Sequence, residues 1–365
     1  VLLLRFVVND IAATPDSGGV FSILSDFYQD IYTNDNENDW IFLLAGKYFK
    51  EKKNLKIIVR DDLKKSNTKK FIFEMFSGGK FINKLHPDCY ISLQNIATLN
   101  VKSKRSIVYV HQPLPFSKQN FSFLKKNERK LAFYQKVVGF VIKFSIKKTE
   151  PIVIVQTNWM KEEIINEKIS RNENVLVAHP VVKFSKTKNL NLEFIRKNFF
   201  FPASPFIYKN HEVVVKAANI LINKYNCKNF KIIFTINKES LITSEKIPSQ
   251  IEFLNKIDRK LVFNMYTRST LIFPSYLETF GLPLLEAKKT GTLILAADTR
   301  FAREILKDYE NAVFFNKFDA EKLSELMYLI IIGKINISKS PKDNAFLNTN
   351  TLRIVINDLF NSRSI

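Results

Sequence analysis

The sequence predicts an α/β protein built from two doubly wound parallel sheets. Short apolar runs alternate with longer amphipathic segments along nearly the whole chain, the pattern of parallel strands joined by helical crossovers. The 365 residues exceed what one ordinary core organises, which points to two domains. A Lys-, Ser-, Thr- and Asn-rich stretch at 182–191 separates the runs into two groups and reads as the linker.

In chain order, the first group of strands is expected at 2–8, 40–45, 56–59, 89–93, 106–110, 152–156 and 175–178. The second is expected at 199–202, 230–235, 251–254, 271–274, 293–296 and 312–315. The domains then run 1–185 and 186–345, and 346–365 is expected to be a helix that returns to the first domain. Open α/β sheets bind ligands beyond the carboxyl ends of their strands, so functional residues are expected directly after strands.

Composition bounds the function. With 46% hydrophobic and 25% charged residues the chain is a folded one. A formal charge of +21 favours anionic partners such as nucleotides, diphosphates and acidic lipids. Cys89 and Cys227 lie far apart and show no metal-ligand spacing, which argues against a disulfide framework or a zinc site. The apolar opening is interrupted by Arg5 and reads as a buried strand rather than a signal peptide. No apolar stretch approaches the ~18–20 residues of a membrane span, so the expected location is cytoplasmic or peripheral.

The segment 273–287, FPSYLETFGLPLLEA, is the most informative. It reads strand, loop, helix, with Pro283 at the first helical position and the amides of Gly281 and Leu282 near the positive helix end. Such an end is a natural phosphate site, and Gly281 lets a ligand approach the backbone. Glu278 in the loop and Glu286 in the first helical turn can face one bound molecule, because carboxylates accept hydrogen bonds from sugar hydroxyls. Taken one at a time, glutamates are more often plain solvated charges.

As a whole, the segment resembles the Glu-x7-Glu signature of retaining GT-B glycosyltransferases of family 4, the group that builds bacterial polysaccharides, O-antigens and glycolipids. Gly291, Asp298 and Arg303-Glu304 continue the likeness. The resemblance implies a GT-B fold of two Rossmann-like domains facing a cleft. It also implies transfer of a hexose-type sugar, with retention, from a nucleotide-diphosphate sugar to a lipid-linked glycan acceptor in capsule or O-antigen biosynthesis. Glu286 would hold the ribose. Glu278 and the amides of Phe280, Gly281 and Leu282 would hold the transferred sugar and diphosphate.

Three further patches fit that likeness. Gly18 and Gly19, in the run Asp16-Ser17-Gly18-Gly19, resemble the family's glycine loop and would approach the donor diphosphate or the acceptor. His111, after the strand at 106–110, would orient sugar or acceptor rather than ligate a metal. Lys209 resembles the lysine that neutralises the leaving diphosphate. Where the family carries an Arg five residues before that lysine, this chain has Ser204, which leaves Arg268 or Arg303 as candidate replacements. No Asp-x-Asp motif is present, so metal independence and no cofactor are expected.

Residues 116–148 hold nine Lys or Arg and one acid, Glu128, interleaved with aromatic and aliphatic side chains. The segment reads equally as a crossover helix packed on its own sheet and as a face that meets an anionic membrane surface. An epimerase or phosphorylase of GT-B type is the neighbouring alternative. A basic nucleic-acid-binding protein is the distant one, disfavoured because no recognition motif is evident.

Overall fold

The computed structural model describes residues 3–180, 190–338 and 352–361. Most of the stretch read as a linker, 182–189, lies outside them. The chain divides into two compact units, Val1–Val181 with Thr349–Ile365, and Val182–Asn348.

The first unit is a seven-stranded sheet of β1 (Arg5–Asp10), β2 (Asp39–Leu44), β3 (Leu55–Val59), β4 (Cys89–Ser92), β5 (Arg105–Val110), β6 (Ile152–Val155) and β7 (Val175–Val177), in the order β3-β2-β1-β4-β5-β6-β7. All its pairings are parallel; Phe6 of β1, for example, stands between Trp40 of β2 and Cys89 of β4. The second unit has six parallel strands, β8 (Asn198–Phe201), β9 (Lys231–Phe234), β10 (Ile251–Phe253), β11 (Thr270–Phe273), β12 (Ile294–Ala297) and β13 (Ala312–Phe315), ordered β10-β9-β8-β11-β12-β13. Each apolar run read as a strand is one. The first starts at Arg5 rather than residue 2, because Arg5 turns at the sheet's end to pair with Asp39 at 2.7 Å.

The strands are near-continuous apolar runs because helices cover both faces of a parallel sheet. Phenylalanine fills much of the space beneath. Phe6 stacks on Trp40 with ring centroids 4.2 Å apart, and Phe199, Phe200, Phe201, Phe234 and Phe273 are buried in the second unit. The helix Leu352–Asn361 belongs to the first unit, where Val355 and Ile356 are buried and Phe360 meets the Phe6 ring edge-on at 5.4 Å.

In both sheets the strand order reverses once, between β1 and β4 and between β8 and β11. Crevices open at such switch points because the crossovers on either side leave on opposite faces. A strand-end cluster at this position in each unit is a candidate site.

Candidate functional site

In the second unit, three loops after β8, β11 and β13 are tied together at the switch point. Tyr276 donates its amide to the Tyr208 carbonyl at 3.0 Å, and Asn210 Nδ2 donates to the Lys317 carbonyl at 2.6 Å. Asn210 holds φ 63°, a left-handed conformation that asparagine tolerates. This closes the turn Ile207–Lys209 and opens helix α1 (His211–Asn223). The turn delivers Lys209, whose Nζ donates to Glu278 Oε1 on the loop after β11. Their side chains are 17% and 15% exposed, so the pair is largely shielded yet reachable.

Beyond Glu278 the chain turns into α2 (Leu282–Lys289) through Gly281 at φ 88°. A Cβ there would be strained by that φ and would stand 3.3 Å from Leu284 Cδ1. Phe280 is buried and anchors the turn. Pro283 has no N–H and the Leu284 amide donates to the Gly281 carbonyl at 2.9 Å, so it is the Leu282 amide that opens the positive end of α2, four residues past Glu278. Pro283 stands at the second helical position rather than the first, and Glu286 at the fifth, a turn deeper than the sequence suggested. The left-handed Gly281 adds the extra step.

Glu286 is accordingly only 7% exposed. Tyr266 Oη donates to its Oε2 at 3.1 Å, and Arg259 Nη2 to its Oε1 at 3.0 Å. Burial raises its pKa while Arg259 opposes the shift. Arg259 opens the helix Arg259–Tyr266 after β10, and Tyr266 closes it, so one short helix carries both partners. Sequence reasoning missed both residues; a cation five residues past the run 251–254 was the only signal.

Neither suggested substitute for the arginine absent at Ser204 is seen paired with the Lys209–Glu278 cluster. Arg303 is held by Asp298 through two contacts of 2.7 and 2.8 Å and lies 3.8 Å over the Phe314 ring. Arg268 precedes β11, at the amino end of the strand whose carboxyl end leads to Glu278. His211 is a core residue against Phe201 and Phe234, and burial lowers its pKa to about 3, so it supplies no charge.

In the first unit, Gly18 sits at φ 59° as the cap of helix α3 (Gly19–Asn34), and a Cβ built at Gly18 or Gly19 meets nothing within 4 Å. The glycine loop is thus an open, positive helix end. His111 follows β5 directly. Asn95, after β4, accepts from the His111 amide at 2.7 Å and contacts its Nε2 at 3.1 Å. Burial lowers the His111 pKa to about 4, so the ring is neutral. Behind this row lies a buried network in which Glu74 accepts from Asn9 Nδ2 at 3.2 Å, from Gln94 and from Thr98. Asp10, the last residue of β1, is buried and its pKa is raised to about 7, chiefly by desolvation. Asp10, Glu74 and Asn95 were not singled out from the sequence, where they read as ordinary polar residues.

From Arg129 the basic segment forms one helix, α-helical at Arg129–Phe133 and Gly139–Thr149 around a π-turn Tyr134–Val138, while 117–128 is a loop. Leu131, Ile142 and Ile146 are buried. Phe133, Val137, Phe140 and Phe144 are exposed at helical spacing, with Phe140 68% and the neighbouring Leu124 90% exposed. Lys118, Lys125, Lys126, Arg129, Lys130, Lys136, Lys147 and Lys148 are exposed around them. Among the described residues, no helix is long and apolar enough to cross a membrane, and no group of three or more His, Cys, Asp or Glu gathers as a metal-ligand set.

Residues 193–346 match the family model of glycosyl transferases group 1. The O-antigen chain mannosyltransferase RfbU of Salmonella typhimurium is 23% identical over 199 residues, which cover 52% of this chain and 53% of the relative. The chain therefore aligns with about half the length of that curated protein. Among solved structures, WaaG, a glycosyltransferase involved in lipopolysaccharide biosynthesis, superposes with a TM-score of 0.63 at 11% identity over 90% of each chain. Anabaena HepE in complex with UDP-glucose gives 0.60 at 13% identity over 91% of this chain and 90% of its own. Two parallel-sheet α/β units with these structural neighbours are the GT-B class expected from the sequence.

Proposed function

We propose that the chain is a group 1 glycosyltransferase acting in polysaccharide or lipopolysaccharide biosynthesis, with the second unit holding a nucleotide-diphosphate sugar. The observation that carries this is the Lys209–Glu278 pair beside the amino end of α2, at the switch point between β8 and β11, inside the stretch that matches the family model. An ammonium and an unsatisfied helix end suit a diphosphate; a carboxylate beside them suits the hydroxyls of the sugar it carries. HepE, solved with UDP-glucose, supports a donor of this type.

In this reading the diphosphate takes Lys209 away from Glu278, freeing the carboxylate for the transferred sugar. Glu286 accepts from the ribose hydroxyls, with Tyr266 and Arg259 setting its orientation. As the glycosidic bond breaks, charge grows on the departing phosphate, and Lys209 with the Leu282 end of α2 stabilises it. That phosphate accepts the acceptor's proton, giving retention without a metal ion or a protein base. His111 and the Gly18-Gly19 loop of the first unit are assigned to the acceptor.

The acceptor is proposed to be a lipid-linked glycan, reached from the inner face of the plasma membrane. The exposed stripe Phe133, Val137, Phe140 and Phe144, ringed by cations, supports docking on an anionic leaflet. Replacing Phe133 and Phe140 by Ser is expected to weaken binding to phosphatidylglycerol vesicles about tenfold. Co-sedimentation checks it: unchanged binding, or equal binding to neutral vesicles, contradicts the docking.

The transfer itself is tested with a radiolabelled nucleotide sugar and a bacterial lipid-linked oligosaccharide extract. Label is expected in the lipid fraction, one nucleoside diphosphate being released per sugar moved, with or without EDTA. An altered sugar formed without acceptor would identify an epimerase, and turnover requiring free phosphate a phosphorylase. The matches to glycosyl transferases do not favour either, nor a nucleic-acid-binding protein.

A further inference from the structure

Two carboxylates in the second unit each hold a cation. Lys209 Nζ donates to Glu278 on the loop after β11, and Arg259 Nη2 donates to Glu286 on α2 at 3.0 Å. The second pair is closed on one side only. Tyr266 is fully buried and bonds the Glu286 carboxylate from the protein interior, whereas the Arg259 side chain is 50% exposed and covers the carboxylate towards solvent. Whatever reaches Glu286 from solvent therefore meets Arg259. Among the described residues no other hydrogen bond engages the guanidinium, so the remaining N–H donors of its planar fork are open to a ligand.

The pair also lies where an anion would be held. Glu286 stands one helical turn after Leu282, whose amide opens α2. Helical side chains lean towards the amino end, which carries the Glu286 carboxylate, and the guanidinium on it, towards that amide. We propose that Arg259 is the second diphosphate-binding cation of this site and takes the phosphate next to the ribose, while Lys209 takes the phosphate next to the sugar. This rests on the donor reading given above. The assignment follows the covalent order of the ligand, in which ribose, α-phosphate, β-phosphate and sugar succeed one another. Glu286 is assigned to the ribose and Glu278 to the sugar, so each carboxylate brings its own cation to the adjoining phosphate. Nη2 stays on Glu286 and the open edge of the fork meets the α-phosphate. Each phosphate then finds one cation.

Removing the guanidinium has two effects that separate along a ladder of ligands. It leaves Glu286 buried without the cation that opposes its raised pKa, which weakens ribose binding in nucleoside, monophosphate and diphosphate alike. It removes the phosphate contact only from ligands that carry an α-phosphate. Arg259→Gln has both effects. Arg259→Lys keeps the charge but not the planar fork, so it restores the phosphate contact in part.

The test is titration of the full chain, followed by ligand-observed NMR, with the nucleoside, monophosphate and diphosphate of uridine, guanosine, thymidine and adenosine, for wild type, Arg259→Gln and Arg259→Lys. For the base that binds, the gain in affinity from nucleoside to monophosphate is expected to fall about tenfold in Arg259→Gln and to recover in part in Arg259→Lys. The gain from monophosphate to diphosphate is expected to keep its wild-type value in both. An Arg259→Gln protein that weakens all three ligands by the same factor makes Arg259 a support for Glu286 alone and overturns the proposal, with the donor reading intact. A loss confined to the step from monophosphate to diphosphate overturns the assignment to the α-phosphate. A wild-type protein that binds no member of any series sinks the donor reading, and the proposal with it.

Discussion

Lys209→Ala is expected to lower kcat by about 10²–10³-fold, corresponding to ~2.7–4 kcal/mol of barrier, while shifting KM for the nucleotide sugar much less. The asymmetry follows from the charge that Lys209 meets. In the ground state the diphosphate is already ionised and is shared with the amino end of α2. As the bond to the sugar breaks, further negative charge collects on the departing oxygen, and a fixed ammonium in a shielded site then gains most. Ser204 is neutral, the His211 ring is neutral in the core, and Arg303 is paired with Asp298. Removing Lys209 also leaves Glu278 without the donor that positions it. Steady-state kinetics check this, and unchanged turnover removes Lys209 from the reaction.

Asp10→Asn is expected to stabilise the protein above neutral pH, by at most about 4 kcal/mol, and to change nothing below pH 4. Burial raises the folded-state pKa of Asp10 from 3.8 to about 7. Between those values the folded protein keeps a proton that the unfolded chain has released, so stability falls as pH rises through that window. Above it the buried carboxylate carries the full penalty, each pKa unit being worth ~1.36 kcal/mol. Asparagine keeps the oxygen that accepts from the Ala13 amide at 3.3 Å and carries no charge to desolvate. Lys64 and Lys70 offset part of the cost in the native protein. Urea melts at pH 4 and pH 8 compare the two proteins; a variant no more stable than wild type at pH 8 contradicts the assignment.

Strand positions were legible because a parallel strand buried on both faces needs an uninterrupted apolar run, and such runs as 152–155 and 271–273 admit little else. The glutamate loop was legible for a different reason. Gly281 and Pro283 punctuate it, and the carboxylates fall at a recognisable spacing around them. What sequence reading missed depends on which loops meet in space. Asn95 and His111 are 16 residues apart, and Arg259 and Glu286 are 27 apart. No local pattern announces either pairing, because each joins the ends of different strands. Asp10 was invisible for a related reason: an aspartate ending a strand normally marks a turn, and only the packing above it shows that this one is buried. The helix carrying 129–149 has the buried side that the crossover reading expected, with Leu131, Ile142 and Ile146 inside, while Phe133, Phe140 and Phe144 are exposed.

Binding of a nucleotide to the second unit is the claim on which the rest depends, and thermal unfolding of the whole chain against the diphosphates UDP, GDP, dTDP and ADP and the monophosphate CMP measures it directly. Ligand at a hundred times its dissociation constant adds ~2.7 kcal/mol to folding stability. Glu286→Gln keeps the shape of the buried side chain, with an oxygen for Arg259 and an amide that Tyr266 can accept from, but it has one acceptor where ribose needs a carboxylate. The expected result is a shift with one nucleotide, unaltered by magnesium or EDTA, that is largely lost in Glu286→Gln. A wild-type protein that none of the five stabilises, or a Glu286→Gln protein stabilised as much as wild type, contradicts the account.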